Sequence, residues 1–241
     1  MRSGSTLLCH LLCSSGEIIG FGETHTNYHR RSDLAKLLVS VWIQTTKNPL
    51  RYEYVLDKIV DAQHVLCDAV LRDQRTRYVL LVREPLASMA SIVAMRRQFH
   101  EDEESLQQSI EFAANHYATR LSQLVQLAKS ANDPTRCFLV THRQLLTETP
   151  LVFQALEAHL HLREPLREDY EIMPTTGKPG IGDPSPNILL GRISRTLPRK
   201  HLSLPPQLQS RLEGCYQHCI DQLQESATIP DRARDRASHA A

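Results

Sequence analysis

MRSGSTLLCHLLCSS, residues 1–15, sets a glycine between small hydroxyl residues directly ahead of an apolar run. Gly4 lets a backbone turn closely around an anion, Ser3, Ser5 and Thr6 can add hydroxyl donors, and Arg2 can clamp an anion with two N–H groups. TLLCHLL behind them is suited to a helix of about two turns, which would put the loop at a positive helix end. This is the outline of an anion cradle, although S-G-S-T also occurs in ordinary turns and helix caps. The triphosphate loop GxxxxGK[ST] needs a lysine beside the hydroxyl residue and finds none here, which disfavours a kinase or NTPase.

A chain of 241 residues can bury one full-sized core. Its 28 Lys and Arg balance 27 Asp and Glu, so no global field draws it to nucleic acid or an anionic membrane, and any anion chemistry must be local. No run approaches a transmembrane length, and TLLCHLL is followed by SSGE rather than a secretory cleavage pattern, so a cytoplasmic protein is expected. The six cysteines are too sparse for a disulfide framework. Cys215 and Cys219 flank His218 without a second cluster, and they are expected to be thiols on a helix face rather than zinc ligands.

GEIIGFGETH (16–25) holds a short β-prone run between glycines, giving the order loop, helix, strand. Apolar spacings of three and four predict amphipathic helices in RRSDLAKLLVSVWIQTT (30–46) and again in RYEYVLDKIVDAQHVLCDAVLRD (51–73). RYVLLVREP (77–85) and CFLVTH (137–142) have the length and composition of buried parallel strands. Helices are predicted over 86–99, 104–130, 151–162 with Pro150 at its start, and 206–225. Strands separated by helices imply a parallel sheet covered on both faces. The segment 175–195, rich in glycine and proline, is expected to be an ordered loop, and 229–241 a disordered tail behind a single domain at 1–228.

Arg83 leaves the end of the strand at 77–85, and Ser91 lies two turns into the helix that follows. Arg83 could be an edge salt bridge to Glu84; combined with RSGST, it points to an anionic ligand with two charged ends. On RSGST at Arg2 to Thr6 and R-x7-S at Arg83 and Ser91, the chain resembles the sulfotransferase superfamily that uses 3′-phosphoadenosine 5′-phosphosulfate, in particular its tyrosylprotein-sulfotransferase-like and bacterial branches. The resemblance implies an α/β, P-loop-like three-layer fold with a parallel sheet. It implies that Arg2, Ser3, Gly4, Ser5 and Thr6 hold the 5′-phosphosulfate and that Arg83 and Ser91 hold the 3′-phosphate. It places the base at Glu23 of GETH, twenty-one residues beyond Arg2, and a lysine at Lys58 of VLDK, twenty-five before Arg83. A late cofactor-covering loop falls on GDPSPNILLGRI, with Ser185 and Arg192 as contacts and Lys178 as a substitute for one of them.

These residue types suit the chemistry. Sulfuryl transfer needs an acceptor oxygen in line with the leaving group, a base for its proton, and cations or oriented donors for the negative charge. Glu23 can be that base or simply a helix cap; Lys58 can stabilise the bridging oxygen or be a solvated helix lysine. His25 can position the acceptor or serve as an alternative base. Fixed N–H groups, Arg and Lys supply the electrostatics, so no metal is expected. The acceptor is a hydroxyl or amine on a small molecule, sugar or peptide, and the alternative function is a non-catalytic 3′-phosphonucleotide-binding or protein-interaction module.

The pattern departs from the family at two places. His142 of THRQLL stands where the family often has a tyrosine before E-x-L. The strand that normally precedes the phosphate loop would lie ahead of Met1, so the resemblance implies a sheet lacking it: an N-terminally truncated form, or a start inside a longer coding region. A chain without that strand is expected to be poorly folded or nearly inactive alone.

Overall fold

The computed structural model describes residues 3–60, 64–99, 105–178, 187–195 and 202–230. Arg2, Ser185 and the tail from residue 231 fall outside them. Along the chain, α1 (Ser5–Leu12) leads to β1 (Ile18–Ile19), α2 (Leu34–Thr45) to β2 (Tyr54–Val55), and the short α3 (Asp68–Leu71) to β3 (Tyr78–Val82). Helices α4 (Pro85–Phe99) and α5 (Leu106–Ala131) then precede β4 (Cys137–Thr141), followed by α6 (His142–Thr147), α7 (Thr149–Leu160) and α8 (Pro206–Ser226).

β3 and β4 pair in parallel from Tyr78 opposite Cys137 to Val82 opposite Thr141. Alternation along each strand divides the core. Leu80, Val82 and Leu139 face Met89, Tyr117, Leu121, Leu212 and Leu223 of α4, α5 and α8, whereas Leu81, Phe138 and Val140 face α1 and α7 through Leu8, Leu11 and Leu156. Both faces of this sheet are therefore covered by helices, as its continuous apolar runs require. Thr141 ends β4 and starts α6 in one step, its hydroxyl accepting the Gln144 amide at 3.1 Å while the Gln144 side chain accepts the Thr141 amide. Beyond α8, Thr228 exchanges backbone hydrogen bonds with Cys137 and Leu139 on the far edge of β4, and Ile229 packs against the same core.

The segment 51–73 corrects the sequence reading. Instead of one helix, its described residues include β2 and the four-residue α3. The amides of Tyr54, Leu56 and Lys58 donate to the carbonyls of Glu17, Ile19 and Gly22, a parallel ladder with β1. Tyr52, Val55 and Ile59 have helical spacing, but they pack as strand and strand-edge residues against Ile19, Phe21 and Leu37. Pairing with a distant strand decides the state of an apolar stretch that fits either period.

The parallel sheet expected from the sequence is present in two parts. β1 and β2 form one two-stranded sheet, β3 and β4 the other. No helix among the described residues is long and apolar enough to cross a membrane.

Candidate active site

The chain turns into α1 through Gly4, whose φ of 90° lies in the left-handed region that glycine enters without strain. A Cβ at this position would stand 2.5 Å from Cδ2 of His142, so the close approach also demands glycine. Gly4 gives α1 no side-chain cap, and the first intrahelical bond runs from the Leu8 amide to the Gly4 carbonyl. The Ser5, Thr6 and Leu7 amides at this end have no intrahelical acceptor, as in any helix start. Leu7, Leu8, Leu11 and Leu12 hold α1 in the core, with Ser3 buried beside the turn.

His10 fastens the other side of α1. Its Nε2 accepts the Met173 amide at 3.2 Å, so Nδ1 carries the hydrogen and donates to the Thr6 carbonyl at 2.7 Å. The ring also meets Tyr170 at 4.8 Å between centroids, joining the loop helix to the segment after α7.

Lys58 stands one turn of chain past β2, where the parallel ladder directs its side chain to the loop. Its Nζ donates to the Thr6 hydroxyl at 3.0 Å and pairs with Glu23 Oε1 at 2.9 Å. The side chains are 9 % and 18 % exposed, so the pair is partly withdrawn from solvent screening. Three residues separated widely in sequence thus meet at one ammonium. Below them the Cys9 thiol is pushed up to about 12 by burial, against the opposing field of Lys58, and remains uncharged at neutral pH.

Asp57 is the residue the sequence did not disclose. One of its carboxylate oxygens accepts the Thr24 amide at 3.0 Å; the other accepts the hydroxyls of Thr24 at 2.9 Å and Tyr28 at 2.7 Å. Together with the Lys58 amide bonded to the Gly22 carbonyl, these contacts fix the loop that carries Glu23. Reading 51–73 as a helix concealed this, because in an extended segment adjacent side chains point to opposite faces: Asp57 grips Thr24 and Tyr28, while Lys58 reaches Thr6 and Glu23. His25 lies on the same loop with a φ of 53° and is exposed, its ring stacked on His64 at 6.0 Å.

Arg83 follows β3, and its carbonyl accepts the Tyr117 hydroxyl at 2.7 Å. Ser91 is buried in α4. His142, at the start of α6, joins this end to the loop: it lies against Gly4 and feels the charge of Arg83. Burial first, and Arg83 second, push its pKa down to about 4. Arg192 is placed in an antiparallel bridge with Asp169, and Lys178 follows a turn whose Thr175 hydroxyl donates to the Phe21 carbonyl at 2.6 Å. Ser3 to Thr6, Glu23 and Lys58 are therefore gathered into one cluster, with His142 linking it to Arg83.

No family model and no curated protein matches the chain. Among solved structures it is similar to a protein described as a sulfotransferase domain from the curacin biosynthetic pathway, at a TM-score of 0.60 and 19 % identity, covering 90 % of this chain and 94 % of that one. The likeness shows a sulfotransferase-like α/β fold.

Two outcomes follow from this geometry. Asp57→Ala removes the acceptor of the Thr24 amide and should speed its hydrogen exchange about tenfold or more, leaving the Leu56 amide, bonded to β1, within about twofold. Equal exchange at both amides before and after substitution would remove Asp57 from the positioning of the loop. For His142 the folded state protonates near 4, the unfolded state near the ordinary value of about 6.5. The unfolded chain binds more protons between those values, so stability falls as pH drops from about 6.5 toward 4. Urea unfolding across this range should show a shallower loss for His142→Asn, with the part due to His159, also held near 4 chiefly by burial, retained.

Proposed function

We propose that this protein is a sulfotransferase that moves a sulfuryl group from 3′-phosphoadenosine 5′-phosphosulfate to a hydroxyl or amine acceptor. The observation that carries the reading is the Lys58 ammonium held between the loop hydroxyl of Thr6 and the carboxylate of Glu23, on a sulfotransferase-like fold. A donor with a charged phosphosulfate suits an uncapped helix start bordered by hydroxyls and a lysine. Arg2 and Ser185 complete the donor site in this proposal, with Arg83 and Ser91 on the 3′-phosphate and Arg192 or Lys178 over the nucleotide. The spacing of Glu23 from Arg2 supports the tyrosylprotein-sulfotransferase-like and bacterial branches.

In the transfer, the acceptor oxygen forms a bond to sulfur as the bond from sulfur to the bridging oxygen breaks, and that oxygen keeps the electron pair. Glu23 takes the acceptor proton. Lys58, already within reach of both the loop and Glu23, neutralises charge on the departing oxygen. Asp57 keeps the base at this distance, and His25, on the same loop, orients the acceptor.

Titration with 3′-phosphoadenosine 5′-phosphate and with ADP tests the donor site. The former should bind more tightly, and Arg83→Ala should weaken it about tenfold or more while changing ADP little, the size of one charge-assisted contact. Glu23→Gln should preserve nucleotide affinity and lower sulfuryl transfer about 10²-fold. Equal weakening of both nucleotides by Arg83→Ala contradicts the 3′-phosphate assignment; transfer within about threefold of the parent contradicts the base.

A further inference from the structure

α2 is apolar on two faces. Leu37 and Val41 bury one of them against Ile19, Phe21 and Tyr28, which accounts for the helix as an element of the fold. The other carries Val39, Trp42 and Ile43, spaced as neighbours on a helix, to the outside. Trp42 is 61 % and Ile43 68 % exposed, and among the described residues nothing covers them. Thr46 ends α2 in the left-handed region with its amide on the Trp42 carbonyl, and the turn Pro49–Arg51 then packs against the helix and adds Leu50, 76 % exposed. Packing explains the inner face of α2 and leaves the outer one without a cause, because a surface helix ordinarily turns polar residues to water.

The same edge is basic. A shallow cavity of about 440 Å³ opens beside this face, lined by Gly16, Thr46, Lys47, Asn48, Arg51 and Tyr52. Lys47 and Arg51 are exposed there. From residue 34 to residue 52 the chain has Lys36, Lys47 and Arg51 and no carboxylate. Of the carboxylates nearby, Asp33 is engaged by Lys36, Glu17 and Glu53 face Arg163, and Glu164, against Gly16, meets the edge of the cavity.

We propose that this face is a membrane-contact surface, on which Val39, Trp42, Ile43 and Leu50 enter the boundary between headgroups and acyl chains of an anionic bilayer while Lys47 and Arg51 bind lipid phosphates at the cavity. An indole beside long cationic side chains suits that layer, its ring among the acyl chains and its N–H toward the headgroups. α2 has twelve residues, too few to cross a bilayer, so it lies in the interface. A second copy of the chain suits the face poorly. In a symmetric pair the patch meets itself, which sets the cations of residues 34–52 against their own kind with no carboxylate in that segment to answer them. The proposal concerns attachment and holds whether or not the transfer reading does.

Trp42 is the protein's one tryptophan, so its emission reports this face directly. With vesicles of phosphatidylcholine and phosphatidylserine the emission should shift to shorter wavelength and be quenched by acyl chains brominated near the headgroup; vesicles of phosphatidylcholine alone should bind about tenfold more weakly or worse. Lys47→Gln combined with Arg51→Gln keeps the reporter and should weaken binding to the anionic vesicles about 25-fold, about fivefold for each cation at such a surface. Lys129→Gln, at the end of α5, should stay within about twofold. Trp42→Ser, read by co-sedimentation with the anionic vesicles, should lose about tenfold or more. Equal affinity for the two kinds of vesicle, or emission that the brominated chains leave unquenched, overturns the proposal. A blue shift that grows with protein concentration without vesicles, accompanied by a doubled sedimentation mass, assigns the face to a second copy and overturns it as well. So does the same shift produced by inorganic phosphate, which would make the cavity a site for a free anion. None of these readouts involves nucleotide, so failure here is distinct from failure of the donor site.

Discussion

One ammonium group organises the site. Lys58 reaches from the end of β2 to the hydroxyl of Thr6 and the carboxylate of Glu23, each within 3.0 Å. Those residues belong to the first turn of α1, the segment after β1 and the segment after β2, the last two brought to the same level by the parallel pairing of β1 with β2. The cation also satisfies two groups that are mostly withdrawn from water, which makes removal of any one partner costly for the other two. Asp57 works from the opposite side of the same extended segment, so its adjacent residues hold both Glu23 and the loop that carries it.

Ending several parallel strands at one level has a second consequence. The amino end of α1, the carboxyl ends of the sheets and the start of α6 all open onto the same small region, where His142 fills the space against Gly4. A neutral imidazole suits this place: it gives no charge of its own beside Arg83, whose field is among the reasons it stays unprotonated. Ties from α1, through His10 to Met173 and through Thr6 to Lys58, hold the loop in this region.

Much of this was legible in the sequence where the deciding forces are local. Five consecutive apolar residues at Tyr78–Val82 and the run from Cys137 gave strands, Pro150 marked the start of α7, and the glycine ahead of the apolar run marked the start of α1. The stretch at 51–73 was misjudged because Tyr52, Val55 and Ile59 fit a helical period while their real partners, at Glu17 to Gly22, lie more than thirty residues upstream. That error hid Asp57, whose role depends on strand alternation. Likewise, His142 was visible as a departure from a motif, but its contact with Gly4 is a product of the fold and has no signature in either neighbourhood.

The integrity of the site depends on Lys58, Glu23 and Thr6 acting as a coupled unit rather than as three neighbouring side chains. A double-mutant cycle of Lys58→Met and Glu23→Gln, read by urea unfolding of the nucleotide-free protein, measures that coupling most directly. A coupling of about 1 kcal/mol or more, in the range found for residues in contact, is the predicted result. Strict additivity of the two substitutions, with the m-value unchanged, would contradict it.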